Sequence, residues 1–268
     1  MPLAYKLIVM DVDGTLVDCE RRISTRNLQA LQAAKQQGIR VTLASGRSYE
    51  SITPFARTVG VNAPLILYNG CRVQDFQSRR IYEDHRLPLG QAQRALELTA
   101  GYDLHVNLYI YDRVYIREAT GAAKASMQKD NVTAQEVGDL LAFLKEDPTK
   151  ILLIGEPKLL QRFRREYLEG MTLPPELVAS EPDYLEILPA GVSKGSALLS
   201  ICRRLDILPQ EVIAFGDGPN DLEMLRYAGL GIAVANAHPT VKAAAEFVTA
   251  ANDEDGVAAA IEKFILSL

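Results

Sequence analysis

Short, fully apolar segments alternate with helix-like segments at both ends of the chain. The first part predicts strands at 6–10, 39–44 and 65–68, separated by helices at 25–37 and 48–59. Strands that are apolar on both faces are typical of parallel sheets covered by helices. The alternation therefore predicts an α/β fold with a doubly wound, Rossmann-like parallel sheet.

The same alternation returns near the C-terminus. Helices are predicted at 194–205, at 220–227 and after Gly256, with strands at 212–215 and 231–234. In the first of these helices, Leu198, Leu199, Cys202 and Leu205 share one face of a 3.6-residue period. We expect the two terminal segments, 1–82 and 190–268, to build one core domain.

The middle of the chain has a different pattern. Two β-rich runs at 105–111 and 113–117 predict a hairpin, which belongs to an antiparallel sheet. Helices are predicted near 91–99, 135–144 and 158–167. Residues 83–189 are therefore predicted to form an inserted α+β domain.

The composition excludes several classes of function. Of the 268 residues, 29 are basic and 34 acidic, the net charge is −5, and no basic run is available to neutralise a nucleic acid backbone. The apolar runs are too short to cross a bilayer, and residues 1–6 contain no cleavable hydrophobic segment. Cys19, Cys71 and Cys202 are too scattered for a disulfide framework or a zinc site. We expect a cytoplasmic monomer or small homo-oligomer that binds neither nucleic acid nor membranes.

Asp11 and Asp13 directly follow the first apolar strand. In an extended chain, side chains two residues apart point the same way, and open α/β sheets bind ligands at this end of their strands. Burying two like charges together requires a cation or a proton. A solvent-exposed turn is the alternative, whereas Gly14 and Arg22 stand at the wrong positions for an EF-hand loop.

A second acidic cluster, residues 216–221, follows the strand at 212–215 and opens a helix. Its acids are suited to a hard cation, and its glycines allow the backbone to approach closely. A dinucleotide-binding fingerprint fails because Asp221 occupies the place of its third glycine. A capped helix start, with Pro219 at the first helical position, remains an alternative.

Two further sequence features, Ser45-Gly46 and Lys194, can each be interpreted as functional or as merely structural. Ser45 and Gly46 precede a helix, so they can grip an anion at its N-terminus or merely cap the helix. Lys194 lies in the first turn of its helix, where a cation opposes the helix dipole. This placement indicates a function unless Lys194 is a solvated surface residue.

Together these elements resemble the four ordered motifs of the haloacid dehalogenase superfamily of phosphatases. The matching positions are Asp11-x-Asp13-Gly-Thr, Ser45-Gly-Arg, Lys194-Gly and Gly216-Asp217-x-x-Asn220-Asp221, with a long insertion between the second and third motifs. Tyr68-Asn69-Gly70, residues 235–237 and residues 252–258 resemble the Cof-type branch, which carries a large α/β cap. Ser45 stands where threonine is frequent.

The resemblance implies that Asp11 attacks phosphorus to form an aspartyl-phosphate and that Asp13 acts as general acid and then as general base. It implies Mg²⁺ bound by the Asp11 carboxylate, the Asp13 backbone carbonyl and Asp217. Ser45, Gly46, Lys194 and Asn220 would hold phosphate, and Asn220 and Asp221 would orient the metal site or Lys194. Arg47 and Asn69 are expected to contact substrate, since each lies just past the end of a predicted strand.

The summed charge of the predicted site residues supports a bound divalent cation. Asp11, Asp13, Asp217 and Asp221 bring up to four negative charges to a site that must also admit phosphate, and Lys194 supplies one positive charge. We therefore expect a Mg²⁺-dependent phosphatase of small phosphorylated metabolites, such as sugar phosphates or phosphorylated cofactors, whose cap closes over the site. The alternatives are a phosphomutase, a dedicated sugar-phosphate phosphatase and a catalytically idle sensor of a phosphorylated ligand.

Overall fold

The computed structural model describes residues 5–130 and 132–267, which divide into two compact units. The core unit comprises the residues up to Gly46, Ile52–Glu83 and the residues from Ser193 onward. The inserted unit comprises Arg47–Ser51 and Asp84–Val192. Most of the N-terminal segment that the sequence analysis considered, residues 1–4, lies outside the described residues.

The strands and helices are numbered in chain order. The strands are β1 Leu7–Met10, β2 Arg40–Leu43, β3 Leu65–Leu67, β4 Arg72–Gln74, β5 Ile81–Asp84, β6 His105–Ile110, β7 Arg113–Ile116, β8 Ala134–Glu136, β9 Lys150–Ile154, β10 Glu176–Val178, β11 Tyr184–Leu188, β12 Val212–Gly216, β13 Leu230–Ala233 and β14 Phe247–Val248. The helices are α1 Thr25–Gln36, α2 Tyr49–Val59, α3 Leu89–Thr99, α4 Gly121–Asp130, α5 Leu140–Phe143, α6 Pro157–Leu168, α7 Lys194–Leu205, α8 Leu222–Tyr227, α9 Pro239–Ala244 and α10 Gly256–Ile261.

The core unit is built on a parallel sheet in the order β14-β13-β12-β1-β2. The terminal segments thus share one sheet, with β1 between β2 and β12. Buried side chains of β1 and β12 pack against the apolar face of α7, including Leu7, Val9, Val212, Leu198 and Ile201. The predicted α/β class with a parallel-sheet core is confirmed.

Local sequence signals define α1 as predicted. The Ser24 side chain accepts a hydrogen bond from the Asn27 backbone N–H, which caps the helix N-terminus. After the helix ends, Gly38 adopts a φ of +86°, a left-handed conformation that favours glycine. The Ser24 cap and the left-handed Gly38 therefore mark the two ends of this helix.

The inserted unit contains a mixed sheet in the order β10-β11-β9-β6-β7-β8, and helices α3 and α6 contribute to the apolar core on one of its faces. The predicted hairpin is confirmed, because β6 and β7 pair antiparallel across Ile110 and Arg113. The predicted helix at 135–144 is wrong over its first part. Residues there form β8, which pairs with β7, and the left-handed Gly138 separates this strand from the short helix α5. Strand pairing has overridden the local helical pattern.

The described residues also bear on membrane insertion and on the state of the cysteines. No helix in 5–130 or 132–267 is long and apolar enough to cross a bilayer. Cys19, Cys71 and Cys202 are free thiols, as their scattered positions predicted.

Candidate active site

Three loops leave the core sheet at the same edge. Met10 of β1 is in register with Leu43 of β2 and with Phe215 of β12. Because these strands are parallel, the residues that follow them emerge side by side. The Asp11 backbone N–H donates to the Phe215 carbonyl oxygen at 3.0 Å, so the loops begin in contact.

The Lys194 ammonium lies between two carboxylates at this edge. Its Nζ is 2.6 Å from Asp11 Oδ1 and 2.6 Å from Asp221 Oδ1. The Lys194 residue is 1% exposed. Lys194 is therefore a buried member of the site, and the alternative of a solvated surface lysine is wrong.

Asp221 is engaged through both of its carboxylate oxygens. Oδ1 accepts from Lys194, and Oδ2 accepts from the backbone N–H groups of Asp217 and Gly218, each at 3.0 Å. Its carboxylate therefore fixes both the lysine and the loop that carries Asp217.

Asp11, Asp217 and Asp221 form a cluster in which one carboxylate oxygen from each lies within 4.8 Å of the others. Burial is the main cause that raises the pKa of Asp11 well above its usual range; Lys194 opposes this, and the neighbouring carboxylates add to it. Burial and then Asp221 raise the pKa of Asp217 to about 6. Burial disfavours the Lys194 charge, but Asp11 and Asp221 outweigh it and hold the lysine pKa above its ordinary value.

These carboxylates fit a hard divalent cation. Three buried or half-buried carboxylates with one lysine leave excess negative charge, which adds to the effect of burial in raising the aspartate pKa values. Oxygen ligands from Asp and Glu are those that Mg²⁺ uses in proteins. Both Asp221 oxygens already accept protein hydrogen bonds, so Asp11 and Asp217 are the better placed ligands.

The predicted phosphate-binding residues surround the same strand ends. Ser45 is buried, donates its N–H to the Ile66 carbonyl oxygen and accepts from the Asn69 N–H. The capping bond of α2 comes from the Ser48 hydroxyl, which accepts from the Ser51 N–H, so Ser45 is not the helix cap. Asn220 Nδ2 donates to Asn69 Oδ1 at 3.0 Å.

The remaining predicted residues differ in their surroundings. Asp13 is half-buried and pairs through its backbone with Val17, and its carboxylate is not part of the described acidic cluster. Gly46 closes the first segment of the core unit. Arg47 belongs to the inserted unit, where its guanidinium donates to Ser51 Oγ at 2.7 Å.

Sequence reasoning gave no role to two residues that shape the Asp217 site. Thr15 is fully buried, and its Oγ1 donates to Asp217 Oδ1 at 2.8 Å. Gly14 has a φ of +78°, and a Cβ there would lie 2.5 Å from Asp217 Oδ2. The sequence signal that could have identified both residues was their position immediately after Asp13. The close approach of the backbone to Asp217 at this point requires glycine.

Two asparagines support the loop that carries Asp11. Asn236 Nδ2 donates to the Gly14 carbonyl oxygen, and Asn252 Nδ2 donates to the Val17 carbonyl oxygen, each at 2.7 Å. The Asn252 N–H also donates to Asn236 Oδ1. The sequence placed both residues in the Cof-like segments but assigned them no contact.

Comparison with known proteins decides the family. A family profile described as haloacid dehalogenase-like hydrolase matches residues 8–261. The chain belongs to the haloacid dehalogenase-like hydrolases. The predicted membership is thereby confirmed, and relatives named as phosphatases confirm the predicted phosphatase class.

Relatives of this haloacid dehalogenase-like chain match it over nearly its full length. It is 31% identical to the 5-amino-6-(5-phospho-D-ribitylamino)uracil phosphatase YitU of Bacillus subtilis, covering 96% of this chain and 97% of the relative. A haloacid dehalogenase-like hydrolase from Bacteroides thetaiotaomicron superposes with a TM-score of 0.87 at 32% identity, covering 97% and 99% of the two chains. The subclass IIB sugar phosphatase BT4131 superposes with a TM-score of 0.86 at 25% identity, covering 97% and 98%.

Proposed function

We propose that this protein hydrolyses phosphomonoesters of small metabolites through an aspartyl-phosphate intermediate, with Mg²⁺ as cofactor. The observation that carries the proposal is the buried Lys194 ammonium, 2.6 Å from both Asp11 and Asp221, beside Asp217 at the carboxyl edge of the parallel sheet. Family membership supports it.

Asp11 is the proposed nucleophile. One of its carboxylate oxygens attacks the phosphorus, the bond between phosphorus and the ester oxygen breaks, and the phosphoryl group is transferred to Asp11. Asp13 gives its proton to the departing alkoxide. In the second half-reaction Asp13 takes a proton from water, which attacks phosphorus, releases inorganic phosphate and restores the Asp11 carboxylate.

The neighbouring residues hold the phosphoryl group and the nucleophile. Lys194 contacts Asp11 directly and brings a positive charge to the oxygens that gain charge in the transition state. Ser45, Gly46 and Asn220 are proposed to bind the phosphate oxygens. Asp221 keeps Lys194 and the Asp217 loop in place through the hydrogen bonds to its two oxygens.

Mg²⁺ would be held by the Asp11 and Asp217 carboxylates and by the Asp13 backbone carbonyl. When bound, it supplies charge neutralisation for the phosphate in a site whose own residues carry excess negative charge. The Thr15 hydroxyl, which donates to Asp217 Oδ1, orients that carboxylate.

The relatives support the proposed substrate class. One relative is named a phosphatase of a phosphorylated ribitylaminouracil and a structural neighbour is named a sugar phosphatase, and we propose a sugar phosphate or a phosphorylated cofactor as substrate. The division into a catalytic domain at 1–82 and 190–268 and a cap at 83–189 belongs to this proposal, as do the substrate contacts of Arg47 and Asn69 and the cytoplasmic location.

The Asp13 role is tested by the leaving group of the substrate. In Asp13→Ala, an aryl phosphate with a stabilised phenolate should transfer its phosphoryl group to Asp11 comparatively well. An alkyl or sugar phosphate should lose on the order of 10²–10⁴ in rate, because its alkoxide needs a proton. Rapid-quench measurement of the first turnover, with nitrophenolate release and trapped aspartyl-phosphate, gives both rates.

Following the first turnover is necessary because Asp13 is also the proposed base for the second step. Dephosphorylation should therefore be slow for both substrates, and a nitrophenolate burst should precede it. Asp18→Ala is the control, since Asp18 accepts hydrogen bonds from Glu20 and Arg22 in the same loop. Equal loss for aryl and alkyl substrates in Asp13→Ala would contradict the acid–base assignment.

A further inference from the structure

The segment that follows β3 contains three consecutive residues in the left-handed region. Tyr68, Asn69 and Gly70 have φ angles of 52°, 55° and 104°, and all three are buried. A left-handed conformation is strained for a residue that carries a Cβ, because the Cβ comes too close to the following carbonyl oxygen. Such strain persists only where the surrounding structure imposes it, and it clusters at functional sites.

Asn69 connects two loops of the candidate active site. Its backbone N–H donates to the Ser45 carbonyl oxygen at 2.9 Å, and its Oδ1 accepts from Asn220 Nδ2 at 3.0 Å. Ser45 ends the segment after β2, and Asn220 lies in the loop after β12. The left-handed backbone thus lets one residue join both loops.

Gly70 packs against the peptide that begins α7. A Cβ at Gly70 would lie 2.1 Å from the Ser193 carbonyl oxygen and 3.2 Å from the Lys194 backbone nitrogen. Ordinary side chains never make such approaches, so any larger residue must push this peptide away.

The first turn of α7 is also held by α8. A Cβ at Gly195 would lie 2.6 Å from Glu223 Cβ, and the Ser193 hydroxyl donates to the Glu223 carboxylate. Contacts at Gly70 and Gly195 therefore fix the backbone of Lys194. This matters because a long, flexible lysine side chain reaches Asp11 and Asp221 together only from a fixed Cα position.

We propose that Asn69 and Gly70 are positioning residues for the phosphatase reaction, a role that rests on the proposed function. Gly70 sets the start of α7, so that Lys194 Nζ reaches both carboxylates. Asn69 accepts a hydrogen bond from Asn220 and thereby holds the Asn220 side chain beside the loop that carries Ser45.

Gly70→Ala tests the first part, with Gly38→Ala as its matched control. Both glycines are left-handed, but a Cβ at Gly38 meets nothing within 4 Å. Both variants should lose stability in thermal unfolding because alanine is strained at a left-handed position, and Gly70→Ala should lose more because its Cβ also meets the Ser193 peptide. Only Gly70→Ala should lose kcat for p-nitrophenyl phosphate with Mg²⁺, by about 10²-fold, because the phosphate-binding lysine is displaced. Orthovanadate should inhibit Gly70→Ala more weakly than Gly38→Ala.

Asn69→Gly tests the second part without adding bulk. Glycine keeps the left-handed backbone and the N–H contact to Ser45, and it removes the side chain whose oxygen Asn220 contacts. The thermal unfolding midpoint should stay close to that of wild type, since strain is relieved while chain entropy is added. The kcat should fall about tenfold, as is common when a supporting hydrogen bond is removed. A merely structural role would lower stability and leave kcat unchanged.

Crystal structures of the variants give a readout that does not depend on turnover. Lys194 Nζ should move away from Asp11 and Asp221 in Gly70→Ala and keep both contacts in Gly38→Ala. Unchanged Lys194 contacts or wild-type kcat in Gly70→Ala overturns the role of Gly70, and wild-type kcat in Asn69→Gly overturns that of Asn69. A wild-type protein that hydrolyses no phosphomonoester instead overturns the proposed function.

Discussion

Each compact unit contains a buried lysine paired with carboxylate, but the two lysines have different electrostatic surroundings. In the inserted unit, Lys150 Nζ lies 2.5 Å from Glu186 Oε2 and 4.8 Å from the centre of the Tyr109 ring. In the core unit, Lys194 faces Asp11 and Asp221, and Asp217 lies beside them.

The difference lies in charge balance and in the position within the fold. Lys150 and Glu186 are strand residues on neighbouring strands β9 and β11, and each supplies one charge to the pair. Lys194 and its carboxylates come from loops and a helix start at strand ends, and the carboxylates outnumber the lysine. A buried ion pair alone does not mark a catalytic site, whereas an unbalanced cluster at a ligand-binding edge supports the proposal of one.

The largest effect is expected when the proposed nucleophile is removed from the cluster of Asp11, Asp217 and Asp221. Asp11→Asn should lower phosphate release by on the order of 10⁴-fold or more, because an amide is a poor nucleophile. The fold should be retained, and without metal the variant should be at least as stable, since one of three crowded carboxylates is neutralised. Steady-state phosphate release and chemical unfolding measure the two quantities.

Asp206→Asn is the control for this change, because Asp206 is an exposed aspartate in the left-handed region, which asparagine also tolerates. It should keep wild-type activity. Turnover in Asp11→Asn comparable to that of Asp206→Asn would contradict the nucleophile assignment.

The second prediction compares the two lysines directly. Lys194→Met should raise the activation barrier by about 3–4 kcal/mol, the effect of losing one preorganised charge contact. Lys150→Met should keep most activity but lose about 3–5 kcal/mol of unfolding free energy, because the buried Glu186 loses the positive charge of Lys150. Enzyme kinetics and urea unfolding on both variants measure this.

Adding Mg²⁺ sharpens the same contrast. Mg²⁺ should raise the unfolding free energy of Lys194→Met, since the cation offsets the carboxylates that Lys194 no longer compensates. It should leave the unfolding free energy of Lys150→Met unchanged. The double change Lys150→Met with Glu186→Leu should restore part of the lost stability, because neither charge remains buried. A large loss of kcat in Lys150→Met at unchanged stability would break the comparison.

The smallest effect concerns the pH dependence of stability. The pKa of Asp217 in the folded protein, about 6, exceeds its ordinary value of 3.8. Between these values the folded state binds more protons, so the stability contributed by Asp217 is fully present below pH 3.8 and is lost as the pH rises through 6. Metal-free wild type should therefore be less stable than Asp217→Asn at pH 7, by on the order of 1–2 kcal/mol, and the two should converge near pH 4.

Urea unfolding with a chelator, repeated between pH 4 and pH 7, measures this difference. With Mg²⁺ present at pH 7 the order should reverse, because wild type keeps the metal ligand that the variant lacks. If the difference between the two proteins in chelator did not change with pH, Asp217 would not be titrating in this range.

Much of the core unit was predictable because its signals are local. Apolar strands and the Ser24 cap lie within windows of a few residues, and the structure has these elements within a few residues of the expected bounds. The inserted unit was less predictable. The central strand β9 was not predicted, and the start of the helix expected at 135–144 is β8, because pairing with distant strands decides both.

The sequence by itself determined the parallel-sheet core, the family and the order in which acidic, hydroxyl and lysine residues follow the strands. Only the tertiary structure decided that Lys194 is buried against Asp11, 183 residues away, that Asp221 is fully engaged by protein donors, and that Tyr68 to Gly70 are left-handed. The physical reason is that periodicity reports which face of an element is apolar. The charge and strain at a position depend on groups that come together only when β1, β2 and β12 form one sheet.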